Sequence, residues 1–277
     1  METPLELSQW QFDLVYNAFS FVIAAMGASL VFFLLVRSRL PERHRMALTL
    51  STLVVGIALY HYLRIFASWD AAFTLVNGVY VESGRPFNEG YRYVDWLLTV
   101  PLLLFEIIAV LALPRATRAK LLTKLIPASI LMIALGYPGE IIADTAPKLI
   151  WGALSTIPFL YILYVLFVEL TKSLDRQPPE VAASVRRLRL LLIATWGVYP
   201  ISYLFPVLGL SGTDAFVARQ VGYSVADVLA KCLFGLVIYK IARMKSAIDD
   251  PAFGESEFAE APSTGQGTER GTERVTV

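Results

Sequence analysis

Seven apolar stretches dominate the chain, and each is long enough to cross a lipid bilayer as a helix, which takes about 20 residues. Polar and turn-forming residues separate the stretches. The pattern therefore predicts an all-α bundle of seven transmembrane helices. We place the spans near residues 11–36, 46–68, 92–112, 121–140, 149–171, 188–208 and 217–243.

The loops between these spans alternate in charge. Most basic residues follow the first, third, fifth and seventh spans, including Arg37, Arg118, Arg187 and Lys240. The opposite loops are acidic or mixed and contain Asp70, Glu82, Glu89, Asp144 and Asp214. The positive-inside rule then predicts an outer N-terminus and a cytoplasmic C-terminus, as an odd number of spans requires.

Two segments lie outside the predicted bundle. The second loop, about residues 69–90, contains the turn pairs Asn77-Gly78 and Ser83-Gly84, which favour an extracellular β-hairpin. Residues 246–277 are acidic, rich in Gly, Ser, Thr and Pro, and include the repeat GTERGTER. We therefore predict a membrane domain over residues 1–245 and a disordered cytoplasmic tail over residues 246–277.

Composition favours a multi-pass protein of the cell membrane. Of the 277 residues, 56% are hydrophobic and only 17% are charged, whereas a soluble chain of this length exposes more charge. The net charge of +1 gives no reason to expect a nucleic-acid partner. Cys232 is the single cysteine, and His44 and His61 are far apart, so we expect neither a disulfide nor a metal site. We also expect no enzymatic activity.

Charged residues inside the spans carry the candidate chemistry. Lys231 lies within the apolar stretch 225–239, one helical turn after Asp227. A charged group at bilayer depth is costly and usually serves a function. A desolvated lysine amine also forms a Schiff base with an aldehyde readily.

The third span places three polar groups on one face. At 100° per residue, Thr99 lies about 40° and Glu106 about 20° around the helix from Asp95. Arg92 is within reach of Asp95 and favours its charged form, whereas apolar neighbours such as Leu103 favour a protonated Glu106. Asp95 and Glu106 are roughly 16 Å apart along the axis. An outer acceptor, an inner stored proton and an amine between them indicate an outward proton path.

A purely structural role is the alternative for these groups. Helix association is one explanation for a single Asp95–Arg92 pair. Helix association does not explain the whole set at bilayer depth, because each of its members is costly there. That set consists of Asp95, Thr99, Glu106, Asp227 and Lys231.

Two segments carry a family resemblance. RYVDWLLTVPLLLFE in the third span and SVADVLAK in the seventh resemble the matching segments of microbial (type 1) rhodopsins. The resemblance covers about residues 10–245 and is strongest to the proton pumps of the xanthorhodopsin and proteorhodopsin branch. In that family an Asp/Thr/Glu triplet like that of the third span marks outward proton pumps. Chloride pumps lack the acceptor carboxylate, and sodium pumps have an Asp at the position of Thr99.

The resemblance implies a role for each buried polar residue. Lys231 would bind all-trans retinal as a protonated Schiff base, with Asp95 and Asp227 as its counter-ions. Asp95 would also be the proton acceptor, and Glu106 the cytoplasmic proton donor. Gating and supporting hydrogen bonds would come from Arg92, Thr99 and His61. His61 matches a histidine that pairs with the acceptor aspartate, although a core histidine with other hydrogen bonds is the alternative.

The resemblance also implies a retinal pocket. Its residues would be Trp96, Leu103, Met132, Gly136, Ser155, Thr156, Trp196, Tyr199, Pro200 and Tyr203. Leu103 matches the position whose leucine gives green absorption in proteorhodopsins. Gly152 stands where bacteriorhodopsin has a tryptophan, and in xanthorhodopsins this gap admits the ring of an antenna carotenoid. Glycine used only for close helix packing is the alternative at this position.

With the outward proton path, the resemblance implies a light-driven outward proton pump. Light would isomerise retinal, the proton on Lys231 would move to Asp95, and Glu106 would replace it. A sensory photoreceptor, a light-gated channel and a non-photoactive seven-helix transporter are the alternatives. Glu106 argues against a sensor, which gains nothing from fast reprotonation.

The expected partners are membrane lipid, protons and further copies of the chain in a trimer or pentamer. The outer pair of proton-release glutamates of bacteriorhodopsin is not evident, and Arg219 stands where one of them would align. Proton release would therefore be late or would use another group.

Overall fold

The structure, a computed structural model, describes residues 5–258 except 112, 143, 176, 206, 207 and 211. Its helices are α1 (Gln9–Arg37), α2 (Glu42–Ala72), α3 (Gly90–Val110), α4 (Arg115–Ile141), α5 (Thr145–Leu174), α6 (Pro179–Tyr203), α7 (Gly212–Asp227), α8 (Phe234–Asp249) and α9 (Pro251–Phe258). A π-helical segment, Val228–Leu233, joins α7 to α8, so Gly212–Asp249 forms one continuous span.

The predicted bundle of seven spans is confirmed. In the described part of the chain, α1 to α5 and Gly212–Asp249 are each long and apolar enough to cross a membrane. α6 is the remaining span and packs against α5, α7 and α8. Its first half carries Arg186, Arg187 and Arg189, which make it less apolar than the others. It begins at Pro179, earlier than the predicted residue 188, whereas the other bounds differ by fewer residues.

The outer faces of the bundle are apolar and suited to lipid. Large side chains such as Leu35, Ile157 and Tyr164 are 67%, 68% and 69% exposed in the isolated chain. The bundle interior instead holds the polar residues, of which Asp95 and Asp227 are fully buried. This arrangement, with lipid-facing hydrophobics and interior polar groups, is the one that a bilayer requires.

The predicted hairpin in the second loop is present. β2 (Phe73–Val76) pairs antiparallel with β3 (Val79–Glu82) across the turn Asn77-Gly78. Asn77 and Gly78 have φ angles of 51° and 87°, as a type I′ turn requires. A third strand, β1 (Glu6–Ser8), pairs with the other edge of β3 and was not predicted, because three residues are too few to show an alternating pattern.

The prediction of disorder from residue 246 onward is wrong at its beginning. α8 continues to Asp249, and α9 follows it directly, starting at Pro251. Proline suits a first helical position, since the missing N–H has no partner there. Asp249 also ties α8 to α2, because its carboxylate lies 2.9 Å from His44 and 3.4 Å from Arg43. Residues 259–277, including the GTERGTER repeat, lie outside the described residues.

Candidate functional site

The Lys231 side chain is 2% exposed and ends between two carboxylates. Its Nζ donates a hydrogen bond to Asp95 Oδ2 and lies 3.0 Å from Asp227 Oδ1. α3 supplies Asp95, whereas Asp227 lies one turn before Lys231 on the same span. Lys231 belongs to the π-helical segment, a local distortion that often marks functional sites. The structure thus brings together the amine and both predicted counter-ions.

The two carboxylates differ in their hydrogen bonds. Asp227 accepts hydrogen bonds from Tyr62 at 2.7 Å, from Tyr199 at 2.6 Å and from Trp96 Nε1 at 3.2 Å. Asp95 Oδ1 has no hydrogen-bond partner within the described ranges. Hydrogen bonds to a carboxylate stabilise its charged form. The charged form of Asp227 is therefore stabilised by more hydrogen bonds than that of Asp95.

Arg92 lies elsewhere than the sequence suggested. We expected it to face Asp95, but its Nη1 lies 3.9 Å from Asp227 Oδ2. It also donates hydrogen bonds to the Tyr62 hydroxyl at 2.8 Å and to Gln220 Oε1 at 2.9 Å. The tyrosine hydroxyl explains the difference, because it bridges the guanidinium to Asp227.

The other two supporting residues make backbone hydrogen bonds. Thr99 donates its hydroxyl proton to the carbonyl of Asp95 at 2.8 Å, so it supports the residue but not its carboxylate. His61 Nδ1 lies 3.0 Å from the carbonyl of Ile57, one turn earlier on α2. No hydrogen bond joins His61 to Asp95 in the described part of the chain, although His61 is close enough to act electrostatically on the Asp95 carboxylate.

A cavity lined mainly by aromatic and apolar side chains adjoins Lys231. All ten residues predicted for a retinal pocket line it. Gly152 lines it as well. Sequence reasoning missed six further residues of its wall: Tyr93, Val100, Ile133, Phe159, Tyr223 and Ala230.

Ring contacts and glycines shape the wall of this cavity. The Trp96 ring lies 5.1 Å, centroid to centroid, from both Tyr199 and Tyr223, each in an edge-on arrangement. A Cβ added at Gly152 would lie 2.7 Å from Cε1 of Tyr203. Gly152 is also partly exposed at the bundle surface. The space that the absent side chain leaves is therefore used by the Tyr203 ring.

Glu106 lies in the cytoplasmic half of α3 and is 1% exposed. Ser51 of α2 donates a hydrogen bond to Oε1 of this carboxyl, and Oε2 has no partner among residues that are described. No basic side chain in the described ranges forms an ion pair with it. The core around it is built from side chains such as Leu104 and Ile107. A carboxyl in such surroundings is more stable neutral than charged.

Sequence reasoning missed several polar residues around the site. Tyr62 and Ser51 are unremarkable in sequence, and only their position on the inner face of α2 brings them to Asp227 and Glu106. A larger group lies between the site and the outer surface, and the sequence did not predict that its members meet. It consists of Glu89, Glu140, Arg219, Gln220 and Tyr223.

Comparison with known proteins agrees with this geometry. Residues 15–244 match the family model for bacteriorhodopsin-like proteins. The chain is 34% identical to the green-light absorbing proteorhodopsin of Gamma-proteobacterium EBAC31A08 over 236 residues, which cover 84% of this chain and 88% of that one.

Two solved structures are also similar. Xanthorhodopsin, described as a light-driven ion pump with dual chromophore, shares 48% identity and a TM-score of 0.83. Thermophilic rhodopsin shares 50% identity and a TM-score of 0.84. Each match covers 89% of this chain and 99% of the other. The chain therefore belongs to the bacteriorhodopsin-like family, the microbial rhodopsins, and is a multi-pass protein of the cell membrane.

Proposed function

We propose that this chain is a light-driven pump that moves protons outward across the membrane, with all-trans retinal bound covalently at Lys231. The observation that carries the proposal is the position of the Lys231 amine, between two carboxylates with different hydrogen bonds and beside an aromatic cavity. The similarity to proteorhodopsin and to xanthorhodopsin, a light-driven ion pump, supports it.

The cavity residues fit a retinal chromophore. Its wall combines aromatic rings such as Trp96 and Trp196 with aliphatic side chains such as Val100 and Leu103, which suits a polyene. Lys231 supplies the amine for a covalent link. When bound there, retinal supplies light absorption and an isomerisation that reorients the proton on Nζ of Lys231.

The outward step uses the difference between the two carboxylates. Asp95 contacts Lys231 Nζ directly and has the fewer hydrogen bonds, so it takes the proton from Nζ. Asp227 keeps its charge, because three side chains donate hydrogen bonds to it and Arg92 lies 3.9 Å away. The proton therefore moves from Lys231 to Asp95, which lies nearer the outer surface than Glu106 does on the same helix.

Reprotonation of Lys231 from the cytoplasmic side uses Glu106. Its carboxyl holds a proton within an apolar core and passes it to Lys231 Nζ after Asp95 has been protonated. Apolar side chains around Glu106 exclude water, so the proton on Glu106 does not exchange with the cytoplasm at rest. Each proton carried outward against the membrane potential stores about 2.3 kcal/mol per 100 mV.

The decisive experiment is light-driven transport in cells or in vesicles of known orientation. Adding retinal should produce colour, and light should then acidify the outer solution until an uncoupler collapses the signal. Asp95→Asn should keep the colour and lose transport, because the acceptor is gone. Glu169→Gln is the matched control, since Glu169 pairs with Lys172, whose side chain is exposed, outside the Lys231 site. Light-driven alkalinisation, or a signal that requires sodium, would contradict the proposal.

The same experiment separates the alternatives. A channel of this fold would pass current that reverses sign with voltage, whereas a pump carries outward current over the whole physiological range. A sensor would show a slow photocycle and no sustained acidification. The buried Glu106 favours the pump over the sensor, because a stored proton shortens the cycle. Assembly into a trimer or pentamer stays a prediction.

We also propose that an antenna carotenoid binds at Gly152. Gly152 is partly exposed and lines the cavity, and the similar xanthorhodopsin is described as having a dual chromophore. The close approach of Tyr203 offers the competing explanation, glycine for packing alone. Energy transfer from an added carotenoid should appear in the wild type and vanish in Gly152→Trp. It should persist in Gly27→Trp on α1, and its absence from the wild type would favour packing alone.

A further inference from the structure

One arginine on the lipid-facing surface of the bundle is held in place by a neighbouring helix. Arg189 of α6 donates a hydrogen bond from Nη1 to Thr171 Oγ1 of α5 at 2.8 Å. Its guanidinium carbon lies 4.6 Å from the centre of the Phe167 ring, also on α5. Thr171 and Phe167 are both exposed. The Arg189 side chain therefore crosses the groove between α5 and α6 on the side of these helices that faces lipid.

The guanidinium of Arg189 lies close to the cytoplasmic ends of both helices. Arg189 is ten residues after Pro179, the first residue of α6, or about 15 Å along the helix axis. Thr171, which the guanidinium contacts, is only three residues before Leu174, the last residue of α5. A long basic side chain on a membrane helix commonly reaches back in this way, which brings its charge to the level of the lipid headgroups.

The groove has an excess of positive charge. Arg186 is exposed and lies on the same side of α6 as Arg189, about 60° around the helix and one turn nearer the cytoplasm. Among the described residues, neither arginine forms an ion pair. The acidic side chain that α5 contributes here, Glu169, pairs instead with Lys172 at 3.0 Å. Two cations of the groove are therefore left without a carboxylate partner in the described part of the chain.

The hydrogen-bonding capacity of Arg189 is also only partly used. A guanidinium has five N–H groups, and among described residues only Nη1 donates a hydrogen bond, to Thr171. Nε is covered by the chain and has no partner there. Asp175 and Glu180, beside the loop that joins α5 to α6, are exposed, so water can compensate their charges. Arg189 therefore has donors left for an anion that approaches from the lipid side.

Apolar side chains continue the groove toward the middle of the bilayer. Leu160, Tyr164 and Phe167 are exposed and lie at i, i+4 and i+7 on α5, so they share one helix face. On α6, Ile193 is exposed one turn after Arg189. The groove thus has a basic end near the cytoplasm and an apolar length beyond it, which matches the two parts of a phospholipid.

We propose that the groove between α5 and α6 binds an anionic phospholipid, with its phosphate on Arg189 and Arg186 and an acyl chain along Phe167. A planar guanidinium binds a phosphate through two N–H groups, and a basic pocket between helices on the cytoplasmic side suits an anionic headgroup. The site does not depend on the proposed pump. It is also separate from the carotenoid position, because Gly152 is 15 residues from Phe167 on α5, or about 22 Å.

Native mass spectrometry of the full chain tests this site without retinal or light. The chain is released from nanodiscs that contain equal amounts of phosphatidylglycerol and phosphatidylcholine, and the lipid that stays bound is identified. The wild type should retain phosphatidylglycerol in preference. In Arg189→Gln this preference should fall about 10-fold, as expected for the loss of hydrogen bonds between charged groups. Arg115→Gln, which removes an exposed arginine at the start of α4, should keep the wild-type preference.

The other outcomes overturn the proposal. They are equal retention of the two lipids by the wild type, or an unchanged preference in Arg189→Gln. A changed oligomer mass in Arg189→Gln without a change in bound lipid would assign the groove to a second copy of the chain. Displacement of phosphatidylglycerol by added inorganic phosphate would assign it to a free anion. If Arg189→Gln does not fold, Arg186→Gln at an exposed position decides the question and should also lower the preference.

Discussion

The outer and cytoplasmic halves of the bundle differ in how many partners their buried charged side chains have. In the outer half, Arg92 and Arg219 are each joined to a carboxylate and to further hydrogen-bonding side chains. In the cytoplasmic half, Glu106 accepts one hydrogen bond among the described residues, from Ser51, and lies within a core of leucine and isoleucine side chains. One half is a connected polar network, and the other is an apolar barrier with one isolated acid.

This contrast accounts for the direction of the proposed pump. A connected network lets a proton on Asp95 affect groups close to the outer surface without crossing apolar space. An isolated neutral acid keeps its proton until a base appears nearby, because a bare carboxylate in an apolar core is costly. In the proposed pump, the two halves would therefore exchange protons at different times as well as at different places.

Removing the amine at the junction of the two halves should have the largest effect. Lys231→Ala should abolish both the colour formed with retinal and all light-driven transport, because no amine remains to bind the chromophore. It also leaves Asp95 buried without the cation that it contacts, which typically costs about 3–5 kcal/mol. Absorption spectra and vesicle pH recordings measure both losses.

Lys240→Ala is the control for this substitution, since Lys240 is exposed on the same span. The control should keep colour and transport. A pigment with normal absorption in Lys231→Ala would contradict both the covalent link and the proposed function.

Replacing the isolated acid should slow the cycle without stopping it. In Glu106→Gln the stored proton is lost, and proton uptake should slow by about 10²-fold, as expected for loss of an acid–base group. Ser51→Ala removes only the hydrogen bond to this carboxyl and should have a smaller effect. Flash spectroscopy gives both rates. Unchanged uptake in Glu106→Gln would mean that the cytoplasmic half holds no donor.

The spans, the hairpin and the cavity could be predicted from the sequence to different degrees. Local signals were enough for the spans and for the hairpin, because apolar length and the Asn77-Gly78 turn are properties of neighbouring residues. The positions around the cavity were predicted through the family resemblance, and the structure brings all ten of them to one wall. Their roles stay predictions until a chromophore is bound.

The polar network of the outer half could not be predicted in this way. The partner of Arg92 depends on the Tyr62 hydroxyl, which α2 contributes from 30 residues away. Glu140 and Arg219 meet only because α4 and α7 approach each other across the bundle. The contact of His61 Nδ1 with the carbonyl of Ile57 was likewise not predicted. Such contacts follow from helix packing and rotamer choice, which a sequence pattern does not encode.

Removing one hydrogen-bonding group from the network of the outer half should lower the stability of the folded pigment. Tyr62→Phe removes the hydroxyl that donates to Asp227 at 2.7 Å and accepts from Arg92 at 2.8 Å. Leaving buried charged groups without such a partner typically costs about 1–3 kcal/mol. The pigment should therefore bleach at a lower temperature. Tyr60→Phe is the control, because its ring is 57% exposed on the same helix. Equal bleaching temperatures for the two variants would mean that the hydroxyl adds no stability.

The smallest expected effect is a pH dependence of stability that comes from Glu89, at the outer end of α3. Burial raises the pKa of Glu89 above its unfolded value of about 4.3. The folded chain thus holds this proton more tightly, and stability should fall as the pH rises from the unfolded pKa to the folded one, then level off. Glu89→Gln has no proton to lose, so its bleaching temperature should vary less with pH in that window. Glu82→Gln, in the exposed part of the same loop, should keep the wild-type slope, and an equally steep slope in Glu89→Gln would assign the titration to another group.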